Sequence, residues 1–127
     1  MGVTRMGKTT IFLADDDEGV RRTLRTFFEG LPGYRVVGEA CDGMEAVEGC
    51  RASAPDVALL DIQMPLLDGV SVARQVLADR AAKCVIILTA FSDREHIERV
   101  QACGAAGYLT CLLYTSDDAD DLTRVDL

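Results

Sequence analysis

Five short apolar runs punctuate the chain at fairly even spacing: Ile11–Ala14, Tyr34–Gly38, Val57–Leu60, Val85–Leu88 and Gly107–Leu109. The first, third and fourth are apolar throughout rather than alternating, as expected of strands buried on both faces of a parallel sheet. The segments between them carry a helical period. Val20, Leu24, Phe27, Phe28 and Leu31 fall on one helix face, as do Ala46, Val47 and Cys50, then Val70, Ala73, Val76 and Leu77, then Ile97 and Val100. Start signals agree with that reading. Asp16 or Asp17, Asp42-Gly43 and Asp68 each precede a helical segment, and Ser92 with Glu95 forms a capping box. Gly104 stands where a helix would end in a left-handed cap. Strands and helices therefore alternate through five strands, which predicts an α/β fold with helices on both faces of a parallel sheet and right-handed crossovers.

At 127 residues the chain has room for one domain, and its 49% apolar share is enough for a buried core. The formal net charge is -8, which argues against a bare nucleic-acid binder. The acidic excess is uneven: residues 111–127 hold five acids and one base. No apolar run approaches the length of a membrane span. Met1 to Thr10 carries basic residues with no apolar stretch after them, so no signal peptide is expected. Five cysteines (Cys41, Cys50, Cys84, Cys103, Cys111), with no C-x-x-C pair, fit reduced thiols in a cytoplasm better than a disulfide framework or a zinc site. Each reads as a small buried hydrophobe.

The candidate chemistry lies at strand ends. The first strand runs into Asp15-Asp16-Asp17-Glu18, and the third runs into Asp61. Ligands of such sheets bind outside the carboxyl ends of the strands, where these two ends are neighbours. Crowded carboxylates raise one another's pKa, and a hard divalent cation resolves the conflict. Mg2+ suits such a site, and the arrangement suits phosphoryl chemistry on a carboxylate oxygen. The fourth strand ends in Leu88-Thr89-Ala90, bringing a hydroxyl to the same edge beside a small residue. Taken singly, each piece has a plainer reading: Asp16 or Asp17 as a helix cap, Asp61 as a turn acid, Thr89 as a strand residue. Their joint placement at three strand ends favours a site.

These stretches resemble the receiver domain of response regulators in two-component signalling. The matching residues are Leu13 to Asp17, Pro55 to Gly69, Ile87 to Ala90 and Gly104 to Leu109, and the D-x-x-M-P-x-x-D-G segment from Asp61 is the most specific of them. The resemblance covers roughly residues 9 to 110. It implies a flavodoxin-like three-layer sandwich with a five-stranded parallel sheet in the order 2-1-3-4-5. It implies Asp61 as phosphoacceptor, with a sensor histidine kinase or a phosphotransfer protein as donor. Asp16 would bind Mg2+ directly, Asp15 directly or through water, and Gln63 through its backbone carbonyl. The Gln63 side chain would flank the attacking water in dephosphorylation. Thr89 would capture the phosphoryl group, and Tyr108 would turn inward as Thr89 moves. Met64, Pro65, Asp68 and Gly69 would shape the adjoining loop. Asp17 receives no role beyond local charge and capping. The readout surface would run from Ser92 to Leu109. The stretch from Tyr34 to Ala40 with Asp42-Gly43 looks most like receivers joined to a helix-turn-helix output domain, which implies a covalent DNA-binding partner and a possible homodimer.

The chain then departs from the family pattern. Cys111 stands where a lysine is expected, and the usual proline and amphipathic fifth helix are missing or replaced. Cysteine cannot supply that cation. Cys111-Leu112-Leu113-Tyr114-Thr115-Ser116 and the acidic run after it resemble the translation of a transposon-end sequencing adapter. The expected organisation is an N-terminal extension over 1–8, a truncated receiver over 9–110 and a non-native tail over 111–127. Loss of the fifth helix would uncover part of the sheet face beside the first helix. Leu122, Val125 and Leu127 could form a weak substitute turn. Two other readings compete with the switch. One is a lysine-less pseudo-receiver used for protein contacts. The other is an aspartate-dependent phosphatase, whose motif Asp15-x-Asp17 resembles but which leaves Asp61 to Gly69 unexplained. The single histidine, His96, reads as a surface residue. No enzyme activity is expected beyond the chain's own phosphotransfer and dephosphorylation.

Overall fold

The computed structural model of the chain describes residues 8–89, 94–111 and 123–126. Five strands lie parallel: β1 (Thr9–Ala14), β2 (Tyr34–Ala40), β3 (Val57–Asp61), β4 (Cys84–Thr89) and β5 (Gly107–Cys111). Between them run α1 (Glu18–Glu29), α2 (Gly43–Ser53), α3 (Gly69–Ala78) and α4 (Arg94–Ala102). The sheet order is β2-β1-β3-β4-β5, followed by a sixth strand, β6 (Thr123–Asp126), antiparallel to β5. The five apolar runs are thus strands of a three-layer, flavodoxin-like sandwich, each a little longer than its apolar core.

The acidic signals cap the helices. Asp17, not Asp16, is the N-cap of α1, accepting from the Val20 N–H at 3.1 Å. Asp42 accepts from Glu45 at 2.8 Å and Asp68 from Ser71 at 2.9 Å. Gly104 takes the left-handed conformation after α4, with φ at 94°. The Ser92–Glu95 capping box, Ala90 and Phe91 lie outside the described residues or side chains, as do most of residues 1–8 and the His96 and Ile97 side chains.

Two clusters fill the sandwich. One face of the sheet packs under α2, α3 and α4 through residues such as Phe12, Leu60, Val72, Val76, Ile87 and Val100. The other packs under α1 through Ile11, Leu13, Val20, Leu24, Leu59 and Leu88. Phe27 departs from the expected buried stripe. It is 46% exposed at the last turn of α1 and meets Phe28 edge-on at 5.2 Å. The tail departs as well: residues 123–126 pair with β5 instead of forming a turn. The free edge of a sheet offers unpaired backbone groups, and β-branched Thr123 and Val125 suit a strand.

Of the cysteines, Cys50 and Cys103 are buried as expected, Cys84 is half-buried and Cys41 is exposed. Burial pushes the Cys50 thiol up to about 12, so it is inert at neutral pH.

Candidate functional site: an acidic pocket at the carboxyl edge of the sheet

Parallel pairing of β1 with β3, and of β3 with β4, brings three strand ends to one edge. Asp15 follows β1, Asp61 ends β3 and Thr89 ends β4, and all three are buried. Asp16 is exposed on the rim. Asp15, Asp16 and Asp61 each offer a carboxylate oxygen, and these oxygens lie within 4.8 Å of one another. The sequence expectation of three carboxylates in one pocket holds for this trio, while Asp17 is committed to its helix.

Backbone groups fix the carboxylates. The Asp17 N–H donates to Asp15 Oδ1 at 2.9 Å, and the Gln63 N–H donates to Asp61 Oδ1 at 3.2 Å. Burial pushes the Asp61 carboxyl up to about 8, and the Asp15 charge adds to the shift. A buried acid cluster in this state favours a cation or the loss of a charge. Hard oxygen donors at this spacing fit Mg2+.

The loop after β3 is held by close packing. Met64 lies half-buried against the α2/α3 cluster, and the Pro65 carbonyl accepts from the Gly43 N–H at 3.2 Å. The Gly69 N–H donates to the Ile62 carbonyl at 3.1 Å. A Cβ on Gly69 would lie 2.2 Å from the Asp61 carbonyl oxygen, so only glycine lets α3 start this close to the acceptor strand. Gln63 is exposed at the pocket. Tyr108, on β5, is half-buried and packs against the core. Cys111 is the last residue of β5, in register with Thr123, and its side chain lies outside those described.

Two cations at the site were not singled out from the sequence. The Arg21 Nη1 donates to the Asp15 backbone carbonyl at 2.7 Å, and its Nε sits 3.4 Å from Glu39, which also pairs with Arg25. Arg99 of α4 reaches Asp68 at 3.7 Å across the pocket mouth. An arginine one turn into the helix after an acidic strand end was the available signal for Arg21. Nothing local marks Arg99, which meets Asp68 from 31 positions away. A second group of metal-ligating types, Cys41, Asp42 and Glu45, has a structural explanation. Asp42 caps α2 by accepting from the Glu45 N–H, while the Glu45 side chain reaches one residue before the cap and accepts from the Cys41 N–H at 3.1 Å.

A family model described as the response regulator receiver domain matches residues 11–112. The chain belongs to the response-regulator receiver family. The receiver is 40% identical over 100 residues to the response regulator UvrY of Escherichia coli O6:H1, covering 79% of this chain and 46% of that protein. It is 37% identical over 107 residues to the transcriptional regulatory protein PdtaR of Mycobacterium tuberculosis, covering 84% and 51%. Among solved structures, a two-component response regulator of the LuxR family from Aurantimonas sp. SI85-9A1 superposes with a TM-score of 0.76 at 33% identity, covering 87% of this chain and 77% of that one. The chain spans about half the length of the curated relatives it matches. Among the described residues of the receiver, no helix is long and apolar enough to cross a membrane.

Proposed function

We propose that the chain is a phosphoacceptor switch, with Asp61 as the acceptor. The observation that carries this is the buried Asp61 carboxyl, held at a strand end within 4.8 Å of Asp15 and Asp16 oxygens. An Asp61 oxygen attacks the phosphorus of a donor phosphohistidine. The new O–P bond forms as the N–P bond breaks, and the donor imidazole keeps the electron pair and takes up a proton. Asp15, Asp16, Asp61 and the Gln63 backbone carbonyl are the residues that would hold Mg2+, which when bound neutralises charge on the carboxylates and on the phosphoryl oxygens. The Thr89 hydroxyl donates to a phosphoryl oxygen, and Gln63 flanks the water that later hydrolyses the adduct. Movement of Thr89 leaves space into which Tyr108 turns, so the phosphoryl group biases a two-state element. The bias is read on the surface from residue 92 to Leu109.

The donor partner is a sensor histidine kinase or a phosphotransfer protein. A covalent DNA-binding output domain and a homodimer are the downstream partners, in the cytoplasm. Residues 9–110 form the receiver unit, and the tail from Cys111 is adapter-derived. Cys111 in place of the expected lysine favours a second reading, a pseudo-receiver that binds proteins without phosphorylation.

The test is intact mass after incubation with Mg2+ and acetyl phosphate. A hydroxylamine-labile phosphoryl adduct, lost in Asp61→Asn, is expected. Absence of the adduct in the unaltered chain and also in Cys111→Lys supports the pseudo-receiver. Steady turnover of phosphomonoesters supports a phosphatase. Resequencing the source DNA across codon 111 tests the origin of the tail.

A further inference from the structure

Beside the carboxylates opens a pocket of about 400 Å³, lined by Asp16, Gln63, Met64, Asp68 and Arg99 among others. Asp16 and Asp68 line it, so an incoming phosphate meets negative charge here. Arg99 is the one cation among the described lining residues. Its Nη2 stands 3.7 Å from Asp68 Oδ2, too long for a hydrogen bond, and both side chains are nearly half exposed. The other Asp68 oxygen, Oδ1, accepts from the Ser71 N–H at 2.9 Å and so caps α3 by itself. Arg99 can therefore leave Asp68 without uncapping the helix, and an exposed pair of this kind holds it only weakly. A guanidinium presents planar paired donors that match two phosphoryl oxygens.

We propose that Arg99 is a binding residue for the phosphodonor: its guanidinium leaves Asp68 and holds the donor's phosphoryl oxygens at the pocket mouth, beside the acceptor. Arg21 is not available for this task, since it is committed to the Asp15 carbonyl and Glu39. The inference rests on Asp61 being the acceptor. It adds a competition, in which Asp68 and the donor phosphate share one cation.

The experiment follows adduct formation by intact mass on the full chain, and on Cys111→Lys, with Mg2+ and subsaturating acetyl phosphate. Arg99→Ala is expected to slow the initial rate about tenfold or more, the usual order for losing a charge-assisted bond, and Arg99→Lys to slow it less. Asp68→Asn keeps a good N-cap and is expected to speed the reaction. In the Arg99→Ala background the Asp68→Asn gain should shrink or vanish, because the two side chains are coupled. Thermal melts of each variant accompany the rates. If the pair were only a brace between α3 and α4, Arg99→Ala and Asp68→Asn would slow the reaction alike, and that result overturns the proposal. An Arg99→Ala rate within about twofold of the unaltered chain overturns it too. No adduct in either background overturns the acceptor role of Asp61 and this inference together. An adduct that is indifferent to Arg99 removes the inference alone.

Discussion

The two faces of the sheet are built from the same strands and differ in their cover. On one, α2, α3 and α4 close over a single cluster of nineteen buried residues. On the other, α1 lies over six. Val57, Ile86 and Leu109, which belong to the α1 face, are only half-buried, while Ala58 and Ile87 next to them in sequence are fully buried on the opposite face. Alternation along a strand assigns the residues to faces, but only a covering helix decides how much each is worth. Among the described residues β5 is followed by β6 and not by a further helix. The difference teaches that the acidic pocket is anchored from the α2/α3 side, where Gly43 and Gly69 bring helix starts against the loop after β3.

The sharpest test of that asymmetry lies in two adjacent isoleucines. Ile87→Ala opens a cavity in the covered face and is expected to cost roughly 2–5 kcal/mol. Ile86→Ala removes a partly buried side chain and should cost clearly less, about 1–2 kcal/mol. Urea unfolding of both variants reads the difference directly. Equal losses would mean that the α1 face is as well covered as its opposite.

The site itself gives the next effect. The folded Asp61 carboxyl titrates well above its ordinary value, so between that value and about pH 8 the folded chain holds a proton that the unfolded chain has released. Stability therefore falls as pH rises through this window. Asp61→Asn should flatten the fall and raise the melting temperature more at pH 8 than at pH 5, by roughly 4 °C or more for each kcal/mol relieved. Mg2+ should stabilise the unaltered chain at pH 8 by about 2.7 kcal/mol at a hundredfold excess over its dissociation constant, read as a rise in melting temperature. EDTA should reverse the rise. A melting temperature indifferent to both Asp61→Asn and Mg2+ would break the link between burial of this carboxyl and the cation.

Much of this was legible in the sequence, and for local reasons. Uninterrupted apolar runs mark strands buried on both faces, and Asp42 and Asp68 announce the helices they cap within three residues. Alternation predicts a parallel sheet whose strand ends gather Asp15, Asp61 and Thr89 at one edge, while the order of the strands came from the resemblance to receivers. What was not legible depends on pairings remote in sequence. Arg99 meets Asp68 across the pocket through the docking of α4, and no pattern near either residue encodes that. The exposure of Phe27 depends on where α1 ends over its sheet face, which helical period alone does not give. The strand at 123–126 exists because β5 presents an edge, and four residues carry too little periodicity to separate a strand from a turn.

Phe27 and Phe28 extend the comparison along α1. Both belong to the apolar stripe, but Phe28 packs against the α1-face cluster and lies 5.9 Å from Tyr34, while Phe27 faces outward. Phe28→Ala is expected to cost about 2 kcal/mol, less than a fully buried phenylalanine. Phe27→Ala should cost under about 1 kcal/mol. Comparable losses in thermal melts would place Phe27 inside a contact that α1 and the sheet do not themselves supply.

The smallest effect is expected at the sheet edge. β6 pairs with one strand only, through Tyr108↔Asp126 to Cys111↔Thr123, and four residues of edge pairing carry little independent stability. Five acids in the tail also contribute to the chain's net charge of -8, and like charge favours neither docking nor compactness. Deleting residues 112–127 should therefore change the unfolding free energy by no more than about 1 kcal/mol. It should also leave the Ile86→Ala and Ile87→Ala costs unequal, since the asymmetry comes from the helices. A loss of several kcal/mol on deletion, with Ile86→Ala then costing nothing, would instead make the tail part of the cover over the α1 face.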